Sequence, residues 1–190
     1  MNHQWQSRNN CGPASVAILL GYYGHQVTQG QVNEQIPPGP SPCEIVQYIA
    51  DRYGGSGKMP SRYDVIDTTL MAKIYYFPRT SSARVPPIRL LLANGVPVIV
   101  LQRLALDSNI GHYRVIQGYD DGAGEFISDD PLLGSDYRIP YADFTRLLAG
   151  PGSGRIFIPV YTSDLDPLVD SLMRELGVRR LFNCEFNSER

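Results

Sequence analysis

A chain of 190 residues has the length of one domain and not two, and a fold of that size buries roughly 70% of the surface exposed when unfolded. Apolar residues make up 43% and charged residues 19%, with a formal net charge of −2, which excludes a disordered chain and leaves no basic footprint for nucleic acid or anionic lipid. No stretch approaches the ~20 consecutive apolar residues of a membrane span; the longest apolar window, 88–101, is broken by Arg89, Asn94, Gly95 and Pro97.

The first ten residues are polar and lack the apolar core of a secretory signal, so the chain is expected to be cytoplasmic or exported after a signal has been trimmed. Next comes Asn9-Asn10-Cys11-Gly12-Pro13-Ala14-Ser15. Behind it Val16, Ala17, Leu19, Leu20 and Tyr23 recur at three- and four-residue intervals, predicting a helix over 13–23 with one buried stripe, ended by Gly24. Cys11 thus stands at a helix N-terminus, where unpaired backbone N–H groups and the helix dipole favour the thiolate, the nucleophilic form of the side chain.

Thr28 is placed to cap a short second helix that Pro37-Pro38 ends. In Ser41-Pro42-Cys43-Glu44 a capping serine, a proline at the first helical position and a glutamate three residues after the cap announce a third helix, which Gly54-Gly55 closes. The segment 56–84 is mixed, with an apolar strand or short helix at 71–77. A short helix after Pro86-Pro87 stops at Gly95, and 96–101 suits a buried strand.

From there strands dominate. Residues 112–119 and 125–128 read as a hairpin around the turn Asp120-Asp121-Gly122-Ala123-Gly124, followed by strands at 137–139 and 155–161 with a helical stretch at 141–148 between them. The acidic turn lacks the alternating ligands and distal glutamate of a calcium loop. A helix carrying Leu168, Val169, Leu172, Met173 and Leu176 follows Thr162. Helices first and strands second predict an α+β fold, an antiparallel sheet packed against helices. The expected division is a domain over 1–162 and a C-terminal helical extension over 163–190.

A nucleophilic cysteine needs a base, and the chain has three histidines, His3, His25 and His112. His112 opens a strand, near the sheet end where clefts form. The hairpin partner ends in Ser128-Asp129-Asp130-Pro131, so its end comes back beside His112 and delivers a carboxylate there. Alternation points Asp129 and Asp130 to opposite faces. An amide upstream of the cysteine is needed for the oxyanion; Gln6 lies five residues before Cys11, and Gln4, at seven, is the fallback. His3 and His25 read as structural. Trp5 and the Tyr22-Tyr23 pair read as core, with the wall of a cleft as the alternative. If Cys11 stays free for chemistry, only Cys43 and Cys184 are left to pair.

Together Gln6-Ser-Arg-Asn-Asn-Cys11-Gly-Pro-Ala-Ser, Gly111-His112-Tyr-Arg-Val-Ile-Gln-Gly-Tyr-Asp-Asp121 and Asp130-Pro131 resemble the papain-like cysteine peptidases. Within them the likeness is to the bacterial bacteriocin-processing peptidases that cut after double-glycine leaders, and to their stand-alone relatives. The resemblance implies a papain-like fold and a thioester mechanism, with Cys11 as nucleophile, His112 as general base and acid, Asp130 as its orienter and Gln6 as oxyanion donor. It implies a peptide or protein substrate for a monomer that needs no metal or organic cofactor. No membrane-spanning or nucleotide-binding segment follows, so a complete peptide exporter is not expected and double-glycine specificity is not carried over. An amidase, isopeptidase or acyltransferase on the same residues, and a peptide-binding module without catalysis, are the alternatives.

Overall fold

The structure, a computed structural model, describes residues 2–54 and 69–181. The first helix, α1 (Cys11–Tyr22), begins at the cysteine itself, two residues earlier than the periodicity predicts. Its single buried stripe is a prediction that needs correction. Every residue from Cys11 to Leu20 is buried, because the sheet covers one side of the helix and two further helices cover the other. Gly24, at φ 84°, ends it as expected.

The two short-range capping signals act as the sequence predicts. Thr28 and Gln31 form a capping box at the start of α2 (Gln29–Asn33), and Ser41 and Glu44 form another at α3 (Pro42–Tyr53), with Pro42 in its first turn. Strands β1 (Leu70–Ala72) and β2 (Tyr75–Tyr76) occupy the window left open between strand and helix. The next helix, α4 (Val85–Ala93), holds Pro86 and Pro87 inside its first turn instead of starting after them, since a first-turn N–H has no helical partner to lose.

Then come β3 (Val98–Arg103), β4 (Gly111–Asp120), β5 (Glu125–Asp130), β6 (Gly134–Pro140), α5 (Tyr141–Leu147), β7 (Ile156–Thr162), α6 (Asp166–Glu175) and β8 (Arg179–Arg180). The strands form an antiparallel sheet in the order β6-β5-β4-β3-β7-β2-β8, with β1 also paired to β7. The α+β expectation is met. The hairpin turn is closed by the Asp120 carboxylate, which accepts the Ala123 N–H at 3.0 Å.

Alternation along the strands builds two cores. Ile99, Val115, Ile158 and Val160 meet α1, α2 and α3 on one face, while Val98, Val100, Ile116, Phe126, Phe157 and Tyr161 meet α4, α5 and α6 on the other. Burying each such side chain stabilises the fold by roughly 1.5–3 kcal/mol before chain entropy is counted. Val169 and Met173 of α6 lie in the second core, and β8 pairs with β2. The sheet therefore continues past Thr162.

Cys43 is engaged in a disulfide, and Cys184, the other cysteine left to pair when Cys11 is free, lies outside the described residues. Cys11 is the free cysteine among the described residues.

Candidate active site

Cys11 is delivered by a tight turn. Asn9 takes φ 57°, a left-handed conformation that asparagine tolerates better than most residues, and the Asn10 N–H returns to the Ser7 carbonyl at 3.1 Å. Asn10 does not cap the helix with its side chain; its amide donates instead to Gln29 Oε1 at 2.6 Å. Pro13 has no N–H, so the N–H groups of Cys11 and Gly12 are the first-turn donors left for the site. Glycine after the cysteine is a packing requirement: a Cβ there would stand 2.5 Å from Cγ of Pro40. Pro40 is itself fixed, its carbonyl accepting the Tyr113 hydroxyl at 3.0 Å.

His112 sits at the start of β4, paired across the ladder with Gln102. Its ring is 3% exposed, and Nε2–H donates to Oδ1 of Asp130 at 2.9 Å. The Cys11 thiol is within hydrogen-bonding reach of the same ring, which leaves Nδ1 to face it. Burial pushes the Cys11 thiol up, but hydrogen bonds from His112 and from the backbone at Tyr113 and Gly12, with the His112 charge, hold it below its ordinary value. Burial pushes His112 down, and hydrogen bonds to Asp130 and Cys11 with the Asp130 charge outweigh this, raising it. The opposed shifts favour a thiolate–imidazolium pair.

Asp130 is fully buried. Its Oδ1 also accepts the N–H groups of Leu132 at 2.8 Å and Leu133 at 3.1 Å, so the turn after β5 aims the carboxylate. Burial alone would raise it; the hydrogen bond to His112, the charges of Arg114 and His112 and the Leu132 N–H hold it ionised below its ordinary value. Asp129 turns to the other face, where His3 Nδ1 bonds its carboxylate. The two neighbouring acids thus serve two different histidines. His25 packs against Tyr53, ring centroids 4.5 Å apart and planes tilted by 54°.

The two glutamines also separate. Gln4 is used up: Nε2 donates to the Val27 carbonyl at 2.6 Å and Oε1 accepts the Gln29 N–H at 2.8 Å. Gln6 is anchored by its backbone N–H on the Pro131 carbonyl at 2.8 Å, beside the His112–Asp130 pair, while its Oε1 is buried without a hydrogen-bond partner among the described residues. If Gln6 has the oxyanion role that the resemblance implies, Gln6→Ala is expected to lower turnover by about 10², with little change in KM, because such a donor acts only once the carbonyl has been attacked. Gln4→Ala is expected to lower the melting temperature and leave turnover of the folded fraction within about threefold; steady-state kinetics beside thermal unfolding separate the two.

Trp5 does not lie in the core: it is 63% exposed, its ring against Gly134 and edge-on to His3. Tyr22 is also largely exposed, donating to the Gly95 carbonyl, whereas Tyr23 reaches the Val160 carbonyl from a half-buried place. Motif reasoning misses one buried group: Arg114, fully buried, with Nε 3.0 Å from Oδ2 of Asp130. Its signal in the sequence is a lone arginine two residues after His112, on the same side of the strand and next to Val115 and Ile116.

No group of acidic, histidine or cysteine side chains suited to a metal occurs among the described residues. No helix among them is long and apolar enough to cross a membrane.

Among known structures the fold is similar to a double-glycine motif protease from an AMS/PCAT transporter, solved with its leader peptide. The TM-score is 0.56 and the identity 22%, over 84% of this chain and 89% of that one. It is also similar to a C39-like peptidase from Bacillus anthracis, with a TM-score of 0.55 and 14% identity over 84% and 94%. At those identities the likeness concerns the fold, which is the peptidase fold that the motifs imply. No curated protein matches the sequence. The model of the Peptidase C39-like family matches residues 1–147, which span both Cys11 and the Asp130 turn. On that match the chain belongs to the Peptidase C39-like family.

Proposed function

We propose that the chain is a cysteine peptidase that cleaves peptide bonds through a thioester, with Cys11 as nucleophile, His112 as general base and acid, Asp130 as orienter and Gln6 as oxyanion donor. The observation that carries this reading is the buried line from the Cys11 thiol through the His112 ring to Asp130, with Nε2 and Oδ1 2.9 Å apart. In the first half-reaction the thiolate attacks the carbonyl carbon, and the oxyanion is met by the Cys11 N–H and the Gln6 amide. The C–N bond then breaks, with the imidazolium giving its proton to the leaving amine. In the second, His112 takes a proton from water, hydroxide adds to the thioester, and the carboxylic acid leaves as the thiolate is restored.

The substrate is a peptide or an unfolded protein segment, because a thiol 8% exposed is reached by an extended chain and not by a folded surface. The solved relative bound to its leader peptide is consistent with that class. Incubation with a mixed peptide library that includes double-glycine sequences, with and without added glycinamide, tests the reaction by mass spectrometry. Free carboxylic acids whose yield is unchanged by glycinamide are expected. Products carrying glycinamide in preference to water would mark an acyltransferase, and cleavage of side-chain amides alone an amidase or isopeptidase. No turnover of any amide, with peptide binding retained, would mark a binding module.

A further inference from the structure

We propose that Arg114 is a positioning residue of this site, a fixed buried cation that holds the Asp130 carboxylate against His112. The inference rests on the Cys11–His112–Asp130 reading above and extends it by one residue.

The geometry separates what fixes Arg114 from what Arg114 fixes. On β4 it stands two residues after His112 and on the same side of the strand; across the ladder Gln102 faces His112 and Val100 faces Arg114. Its terminal nitrogens donate away from Asp130, Nη2 to the Leu104 carbonyl at 3.1 Å and Nη1 to Gln102 Oε1 at 3.4 Å. Gln102 is itself oriented by a hydrogen bond from Nε2 to the Phe144 carbonyl at 3.0 Å. The guanidinium is therefore placed by β3 and by the helix beyond it, leaving Nε 3.0 Å from Asp130 Oδ2 as an ion pair without the alignment of a hydrogen bond.

On the carboxylate the work is divided in the complementary way. Oδ1 takes three donors, His112 Nε2 and the Leu132 and Leu133 N–H groups, and Oδ2 is the oxygen left to Arg114. A fully buried carboxylate without a cation would recover a proton or turn its charge elsewhere. With Arg114 beside it the charge stays on Asp130 and both oxygens have an assigned side. The rigid guanidinium fork suits this task, because one group spans Leu104, Gln102 and Asp130 at once.

The charged and titratable groups facing this centre are Cys11 from α1, Asp130 from β5, Tyr137 from β6 and His112 on the same strand, with the uncharged Gln102 from β3. The Arg114 cation opposes the imidazolium and favours the thiolate. Its loss moves the acid inflection of the thiolate–imidazolium window, where the thiolate forms, to higher pH.

Arg114→Met, a neutral side chain of similar reach, tests this in the full chain. The rate of Cys11 carbamidomethylation by iodoacetamide is followed against pH, with the modified residue located by mass spectrometry. This readout needs no peptide substrate, so it stands even where the peptidase reading fails. In folded Arg114→Met the acid inflection is expected to move up by about half a unit to one unit, and kcat on a cleaved library peptide to fall about tenfold with KM unchanged. The same substitution in an Asp130→Asn background is expected to have less than about a twofold further effect on kcat, because its target has lost its charge.

An inflection and kcat equal to wild type in a folded variant would overturn the proposal. So would a full additional loss in the Asp130→Asn background. Where Arg114→Met does not fold, Arg114→Lys decides: a single ammonium keeps the charge but cannot span the three partners. The inflection is then expected to stay and kcat to fall several-fold with KM unchanged. A shifted inflection in folded Arg114→Lys, or failure of both variants to fold, would mean that the arginine serves stability alone.

Discussion

On the mechanism proposed above, Cys11→Ala is expected to lower peptide hydrolysis by at least about 10⁴-fold, because no thioester would form and only the residual effects of binding and the proposed oxyanion donors would remain. The fold should survive the change. Cys11 contributes one small sulfur to a core that holds Val16, Ile18, Leu19 and Leu20 of the same helix, and its removal costs about 1 kcal/mol or less. Cys11→Ser is expected to be nearly as inactive, since a hydroxyl does not ionise under the influences that hold the thiol low. Initial rates by mass spectrometry, beside thermal unfolding of each variant, check both. A variant with a wild-type rate would remove Cys11 from the chemistry altogether.

The pH dependence follows from the same pair. Cys11 is held below its ordinary value, so the acid limb of kcat/KM belongs to formation of the thiolate and lies below that of a free thiol. His112 is raised, so the alkaline limb belongs to loss of its proton and lies above that of a free imidazole. The active plateau is the interval between them. A single rising limb at the pH of an ordinary thiol would show that no such pair forms.

How far the sequence carries depends on the range of the interaction involved. The α3 cap is complete within Ser41-Pro42-Cys43-Glu44, and its capping box forms there; the same is true at Thr28. The hairpin is legible because its turn and both strands lie within one short stretch, and that stretch brings His112 and Asp130 together. Long-range partners leave no such trace. Nothing near His3 announces Asp129, 126 residues away, and nothing near Gln4 announces that Val27 and Gln29 consume its amide. The α1 stripe fails for a related reason: periodicity reports one buried face, but a helix enclosed between a sheet and two helices buries every side along Cys11 to Leu20. Strand β8 has two residues, too short for alternation to mark. Arg114 is visible as a letter and not as a partner, since a cation in a strand ordinarily points to water and only the fold shows this one enclosed.

The adjacent acids provide the sharpest contrast between role and proximity. Asp130→Asn is expected to lower kcat by about 10³-fold, and Asp129→Asn by less than about threefold in folded protein. The argument for the first runs through the three donors on Oδ1. With asparagine in place of Asp130, the side-chain amide oxygen is held where Oδ1 stands by the Leu132 and Leu133 N–H groups, so it still accepts from His112 Nε2 and the ring keeps its orientation. What is lost is the negative charge, and the new amide nitrogen stands where Oδ2 faced the Arg114 cation. The loss is therefore smaller than the ~10⁴ expected where the wrong tautomer is imposed as well. Asp129→Asn takes the charge from the partner of His3 instead, weakening the tie on the arm that carries Trp5 and Gln6. Its effect belongs to stability: the His3–Asp129 pair is part-buried, so the melting temperature is expected to fall by a few degrees. Steady-state kinetics and thermal unfolding on the two single variants decide the matter, and equal losses of kcat would show that His112 is oriented by neither acid alone.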